Sequence, residues 1–127
     1  MTTSKPIYDL HAEHNDWLGK LSFYKDEISI MRKQVEEVAS RNSSPEIMAS
    51  VDHFENQFLI QKEQLDTLKH KIKAHEAAID SSVASNPIAS DHRKMEDHEE
   101  MREKMNRFEN LFANLRQEQK EFIAKWL

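Results

Sequence analysis

The stretch Val38-Ala39-Ser40-Arg41-Asn42-Ser43-Ser44-Pro45-Glu46-Ile47 decides the fold. Asn42-Ser43 stops one helix and Ser44-Pro45-Glu46 starts another at once. Serine is a favoured N-cap, proline fits the first helical position where its missing N–H costs nothing, and a glutamate beside it complements the positive end of the helix dipole. So short a connection makes its two helices antiparallel neighbours. A second, looser break lies at Ser81-Ser82-Val83-Ala84-Ser85-Asn86-Pro87, where Asn86-Pro87 or Ser90-Asp91 can open a last helix. The punctuation predicts three helices, over about residues 7–42, 45–82 and 87–127.

Composition excludes the alternatives. One glycine and three prolines in 127 residues cannot furnish the turns, bulges and phosphate loops of a sandwich, a barrel or a doubly wound sheet. With 32% charged and 38% apolar residues, the chain has the make-up of long amphipathic helices around a narrow core, expected as one domain over residues 1–127. Zero cysteines remove disulfides, thiolate metal sites and catalytic thiols.

Apolar residues recur at alternating spacings of three and four. On the first helix the stripe runs Ile7, Leu10, His14, Trp17, Leu21, Tyr24, Ile28, Met31, Val35, Val38, Asn42; on the second, Ile47, Val51, Phe54, Phe58, Gln61, Leu65, Leu68, Ile72, His75, Ile79; on the third, Asp91, Lys94, His98, Met101, Met105, Phe108, Phe112, Leu115, Gln119, Phe122, Trp126. This heptad spacing predicts an all-α, antiparallel three-helix bundle with coiled-coil-like packing. The Trp-bearing, three-helix layout resembles a spectrin-type repeat in architecture, a likeness of arrangement and not of motif.

Counting outward from the two turns aligns the stripes into layers. From the Ser43 end these run Asn42/Ile47/Trp126, Val38/Val51/Phe122, Val35/Phe54/Gln119, Met31/Phe58/Leu115, Ile28/Gln61/Phe112, Tyr24/Leu65/Phe108, Leu21/Leu68/Met105 and Trp17/Ile72/Met101. The next layer is His14/His75/His98, followed by Leu10/Ile79/Lys94 and Ile7/Ser82/Asp91.

The histidine layer is the one constellation that can carry chemistry. Six of the seven histidines, all but His53, lie toward that end of the bundle. Three converging imidazoles form a first coordination shell for Zn, or for Cu, Co or Ni, with neutral nitrogens at ~2.0–2.1 Å and an open fourth position. His11 shares a helix face with His14 and is a candidate fourth ligand. Glu13, Glu76, Asp97 and Glu99 stand near enough to orient imidazole N–H groups, whereas the positive charges of Lys71, Lys94 and Arg102 oppose a dication unless they turn outward.

Other readings of the layer are a polar layer that sets register, as Gln61, Gln119 and Asn42 can, or a proton switch, because three facing imidazoles cannot all be charged. The di-iron carboxylate bundle needs Glu-x-x-His on two helices; the residues three before His14, His75 and His98 are His11, Ile72 and Met95. The His-x-x-x-Glu and His-x-x-x-His spacings of hemerythrins are absent too, and no activated Ser or Gly-rich loop is present, so no catalytic residue is assigned.

The alternative reading is a non-catalytic helical interaction or homo-oligomerisation module without metal. Leu18, Phe23, Ile30, Leu59, Ile60, Leu111 and Ile123 flank the stripes, either as a widened core or as a surface for a homodimer or a helical protein partner. A net charge of −5 with interleaved signs gives no footprint for nucleic acid or an anionic membrane. The Lys62, Lys69, Lys71, Lys73 group reads as a solvated face. With no apolar leader at the N-terminus and no stretch of ~20 apolar residues, the expected setting is cytoplasmic.

Overall fold

The computed structural model describes the backbone of residues 5–85 and 87–127, and side chains over 9–78 and 98–127. It contains three helices, α1 (Lys5–Arg41), α2 (Pro45–Ser85) and α3 (Pro87–Trp126), each packed against the other two. This is the all-α three-helix bundle expected from the stripes. Among the described residues no helix is long and apolar enough to cross a membrane.

The first turn forms as its residues dictate. Asn42 Nδ2 donates to the Val38 carbonyl at 2.8 Å, satisfying one acceptor that the end of α1 would leave open, and Arg41 adds a cation to that last turn. Pro45 opens α2, and the Met48 amide returns to the Ser44 carbonyl at 2.9 Å. At the second break α2 continues to Ser85, three residues past the expected stop. Serine, valine and alanine each cost a helix at most about 0.7 kcal/mol, so nothing in Ser81–Ser85 compels an end; Pro87 does.

The stripes are the buried faces. From Leu10 to Val38 on α1, Ile47 to His75 on α2 and His98 to Phe122 on α3, every stripe position is buried except half-buried Tyr24. Each Phe, Leu, Ile or Val so placed stabilises the fold by about 1.5–3 kcal/mol. The Ile7, Ile79, Ser82, Asp91 and Lys94 positions of the last two layers lie outside the described side chains.

Contacts fix the directions. Arg32 meets Glu55 (3.0 Å) and His14 meets His75 (3.0 Å), so numbers fall on α2 as they rise on α1. Phe54 packs on Phe122 with ring centroids 5.0 Å apart and His75 on His98 at 5.9 Å, so α2 and α3 are antiparallel. Tyr24 packs on Phe108 (5.7 Å) and Gln119 bonds Gln34 (2.9 Å), so α1 and α3 run parallel. Two glutamines interrupt the core differently. Gln119 also reaches the Met31 carbonyl at 3.4 Å, whereas the Oε1 of Gln61 is buried with no hydrogen-bond partner among the described residues.

Candidate metal centre

Three unbroken helices carry one histidine each to the same level, because each imidazole occupies a stripe position that turns inward with its apolar neighbours. His14 and His98 are fully buried and His75 is 9% exposed. Ring centroids are 5.0 Å apart for His14–His75 and His14–His98, and 5.9 Å for His75–His98. One potential ligand nitrogen from each of the three lies within 4.8 Å of those from the others. An ion with bonds of ~2.0–2.1 Å holds tetrahedral nitrogens about 3.3 Å apart, so loading would draw the widest pair inward by up to about 1.5 Å.

The hydrogen bonds fix which nitrogens are available. Glu76 Oε2 lies 2.6 Å from His14 Nδ1; a carboxylate only accepts, so that nitrogen carries the proton and Nε2 keeps its lone pair. His75 Nδ1 donates to this His14 Nε2 at 3.0 Å. On the other side His98 Nε2 donates to Glu13 Oε1 at 2.6 Å, and His98 Nδ1 is buried with no hydrogen-bond partner among the described residues. His14 and His98 are thus each held by a carboxylate on one ring nitrogen, which is how metal-bound imidazoles are oriented.

Arg102 supports this arrangement. It clamps Glu13 with two bonds, Nε to Oε2 at 3.0 Å and a terminal nitrogen to Oε1 at 2.7 Å, while its other terminal nitrogen reaches Glu99 at 2.7 Å. These contacts push the Glu13 carboxyl down to about 2, chiefly through Arg102 and then His98, against the opposing effect of burial. Arg102 is in turn held more firmly protonated by Glu13 and Glu99. Burial, followed by the nearby charges of His75 and His98, lowers His14 to about 4. The ring is therefore neutral near pH 7, as a metal ligand must be.

Apolar surface closes the level above. Trp17 stacks on His98 with centroids 4.8 Å apart and planes at 20°, and Ile72 and Met101 are buried beside it. Below the histidines Leu10 is buried. An all-nitrogen donor set of this kind suits Zn, Cu, Co or Ni and not Mg or Ca, which take oxygen.

His14, His75 and His98 are thus brought together as the layer count placed them. His11 lies outside that group of three: its Nδ1 meets Glu76 Oε1, so one carboxylate serves two histidines. Of the four acids expected to orient imidazoles, Glu13 and Glu76 do so, Glu99 binds Arg102 instead, and Asp97 lies outside the described side chains. Arg102, expected to repel an ion, spends its charge on Glu13. The Glu99-x-x-Arg102 spacing was the only sequence trace of that clamp, and it marks the weaker half of it. Lys71 points into a different groove, between α2 and α3, and Lys94 lies outside the described side chains.

No family model matches the chain, and searches of curated proteins and of solved structures likewise returned no match.

Proposed function

We propose that this protein binds a divalent transition metal, Zn or one of Cu, Co and Ni, at His14, His75 and His98, as a structural clamp joining its three helices. The carrying observation is the buried Nδ1 of His98, which has no hydrogen-bond partner among the described residues and stands in a layer with two further imidazoles. Leaving such a group unsatisfied costs about 1–3 kcal/mol, and a metal bond replaces that cost with a gain. Loading displaces the proton that His75 Nδ1 shares with His14 Nε2, so that proton shifts to His75 Nε2 or leaves. His11 acts through Glu76 in this reading, as a second hold on the carboxylate that orients His14.

Elemental analysis of untagged protein tests it, with His75→Ala as control. Near-stoichiometric metal that the variant lacks supports the centre. Metal-free wild type whose melting temperature ignores both added Zn and EDTA overturns it.

A second reading, a non-catalytic interaction module, has its own observation. Leu18 and Ile123 are partly buried against the core, as a widened stripe requires, but Phe23, Ile30, Leu59 and Leu111 are each more than half exposed. A strictly monomeric mass at high concentration would remove the self-associating form of this reading.

A further inference from the structure

We propose that the ion reaches the histidine layer over the rim between α1 and α2, where His11 and Glu76 form an exposed capture site for a divalent transition cation. The inference rests on the metal reading above and adds a loading route to it. Helix α1 borders two rims of the layer, and they differ in charge. Toward α3, Arg102 spans the rim, with two bonds to Glu13 at 3.0 and 2.7 Å and one to Glu99 at 2.7 Å. A cation approaching there meets a guanidinium and has to break a bidentate ion pair. Toward α2 the rim holds Glu76, and among the described residues its ion-pair partners are two histidines, His11 and His14, with no lysine or arginine.

That one carboxylate links solvent to core. Its Oε1 meets Nδ1 of His11, and its Oε2 lies 2.6 Å from Nδ1 of His14. The side chains of His11 and Glu76 are 30% and 27% exposed, whereas that of His14 is enclosed completely. His11 and His14 stand three residues apart on one helix face, so a single carboxylate from across the groove serves both. A carboxylate only accepts, so a proton lies between His11 Nδ1 and Glu76. An ion that displaces this proton to solvent is held by one nitrogen and one oxygen, both ordinary ligands of Zn, Cu, Co and Ni. Two donors bind weakly, which suits a site that passes its ion on to three. The bundle has another exposed pair of the same kind, His53 Nε2 at 2.8 Å from Glu118 Oε1, toward its other end. Among the described residues Glu118 serves that ring alone, so His53 supplies the comparison.

Stopped-flow mixing of Co²⁺ with the Trp126→Phe protein tests this route, because Trp17, stacked on His98 at 4.8 Å, reports arrival by quenching. In that background His11→Ala should slow loading by about tenfold or more and slow release to a chelator by a similar factor, since a site on the path lowers one barrier in both directions. Equilibrium affinity should then change by less than the roughly 10–100-fold that loss of an orienting partner costs. His11→Asp, which restores a cation ligand beside Glu76, should recover fast loading, and His53→Ala should load like the parent. Loading that is unchanged in His11→Ala, or slowed equally in His53→Ala, overturns the proposal, as does a His11→Asp variant no faster than His11→Ala. So does a large loss of affinity with the loading rate intact, which would make His11 a ligand or an orienting residue. A parent protein that takes up no ion would instead remove the metal reading itself.

Discussion

Trp17 lies nearly flat against His98, ring centroids 4.8 Å apart and planes inclined by 20°. An ion on His98 would therefore sit within a few ångströms of an indole, and Cu²⁺ or Co²⁺ quenches such a fluorophore. The chain has two tryptophans, so Trp126→Phe leaves Trp17 as the sole reporter. Stoichiometric Cu²⁺ is expected to quench most of its emission, and excess Zn²⁺ to restore it. Emission that declines only in proportion to bulk Cu²⁺ would place the ion elsewhere.

Glu13 joins His98 to Arg102, and its removal should affect affinity before it affects folding. Partners that orient a metal-bound histidine are typically worth 10–100-fold in metal affinity. Glu13→Gln is expected to weaken Zn binding by about that factor in competition with a chromophoric chelator. Glu99→Gln, which touches only the outer side of Arg102, should change it little. Equal effects from the two variants would remove Glu13 from the centre.

Acid should destabilise the metal-free protein in a set window. His14 titrates near 4 in the fold, through burial and then the charges of His75 and His98, against 6.5 ordinarily. Between those values the unfolded chain takes up a proton that the folded one refuses, so stability is complete above pH 6.5 and is lost as pH falls toward 4, by on the order of 3 kcal/mol. Glu13, lowered from 4.5 to about 2 by Arg102 above all, extends the loss: its contribution is present above pH 4.5 and disappears on the way down to 2. Urea midpoints in EDTA should fall steadily from pH 7 to 4, and His14→Leu should flatten that slope. A wild-type profile already flat over this range contradicts the buried, neutral His14.

Neighbouring residues on α3 should respond oppositely to truncation. Phe112 is 2% exposed and Leu111 51%. Phe112→Ala is expected to cost about 3–5 kcal/mol in chemical denaturation, whereas Leu111→Ala stays within about 0.5 kcal/mol. Comparable losses at both positions would mean that Leu111 is covered in solution, the outcome that the self-association reading requires.

Much of this architecture was legible in the chain. A repeating apolar stripe is a one-dimensional signal: once two breaks are located, helix geometry dictates which residues share a face, and the short turn after Asn42 fixes how α1 and α2 align. The shared level of His14, His75 and His98 follows from that count. The end of α2 was less legible, because Ser81–Ser85 lowers helix propensity without forbidding the helix.

What the sequence by itself determined, then, is the three helices, their buried faces and the level of the imidazoles, all consequences of backbone period. Tertiary structure alone decided that Glu13 and Glu76 hold the rings while Glu99 turns to Arg102, and that Arg102 pairs with Glu13 instead of facing the histidines. Those outcomes depend on long side chains with several rotamers reaching across an interface. Helix rotation of a few degrees settles which carboxylate arrives first, and no periodicity in the sequence encodes it.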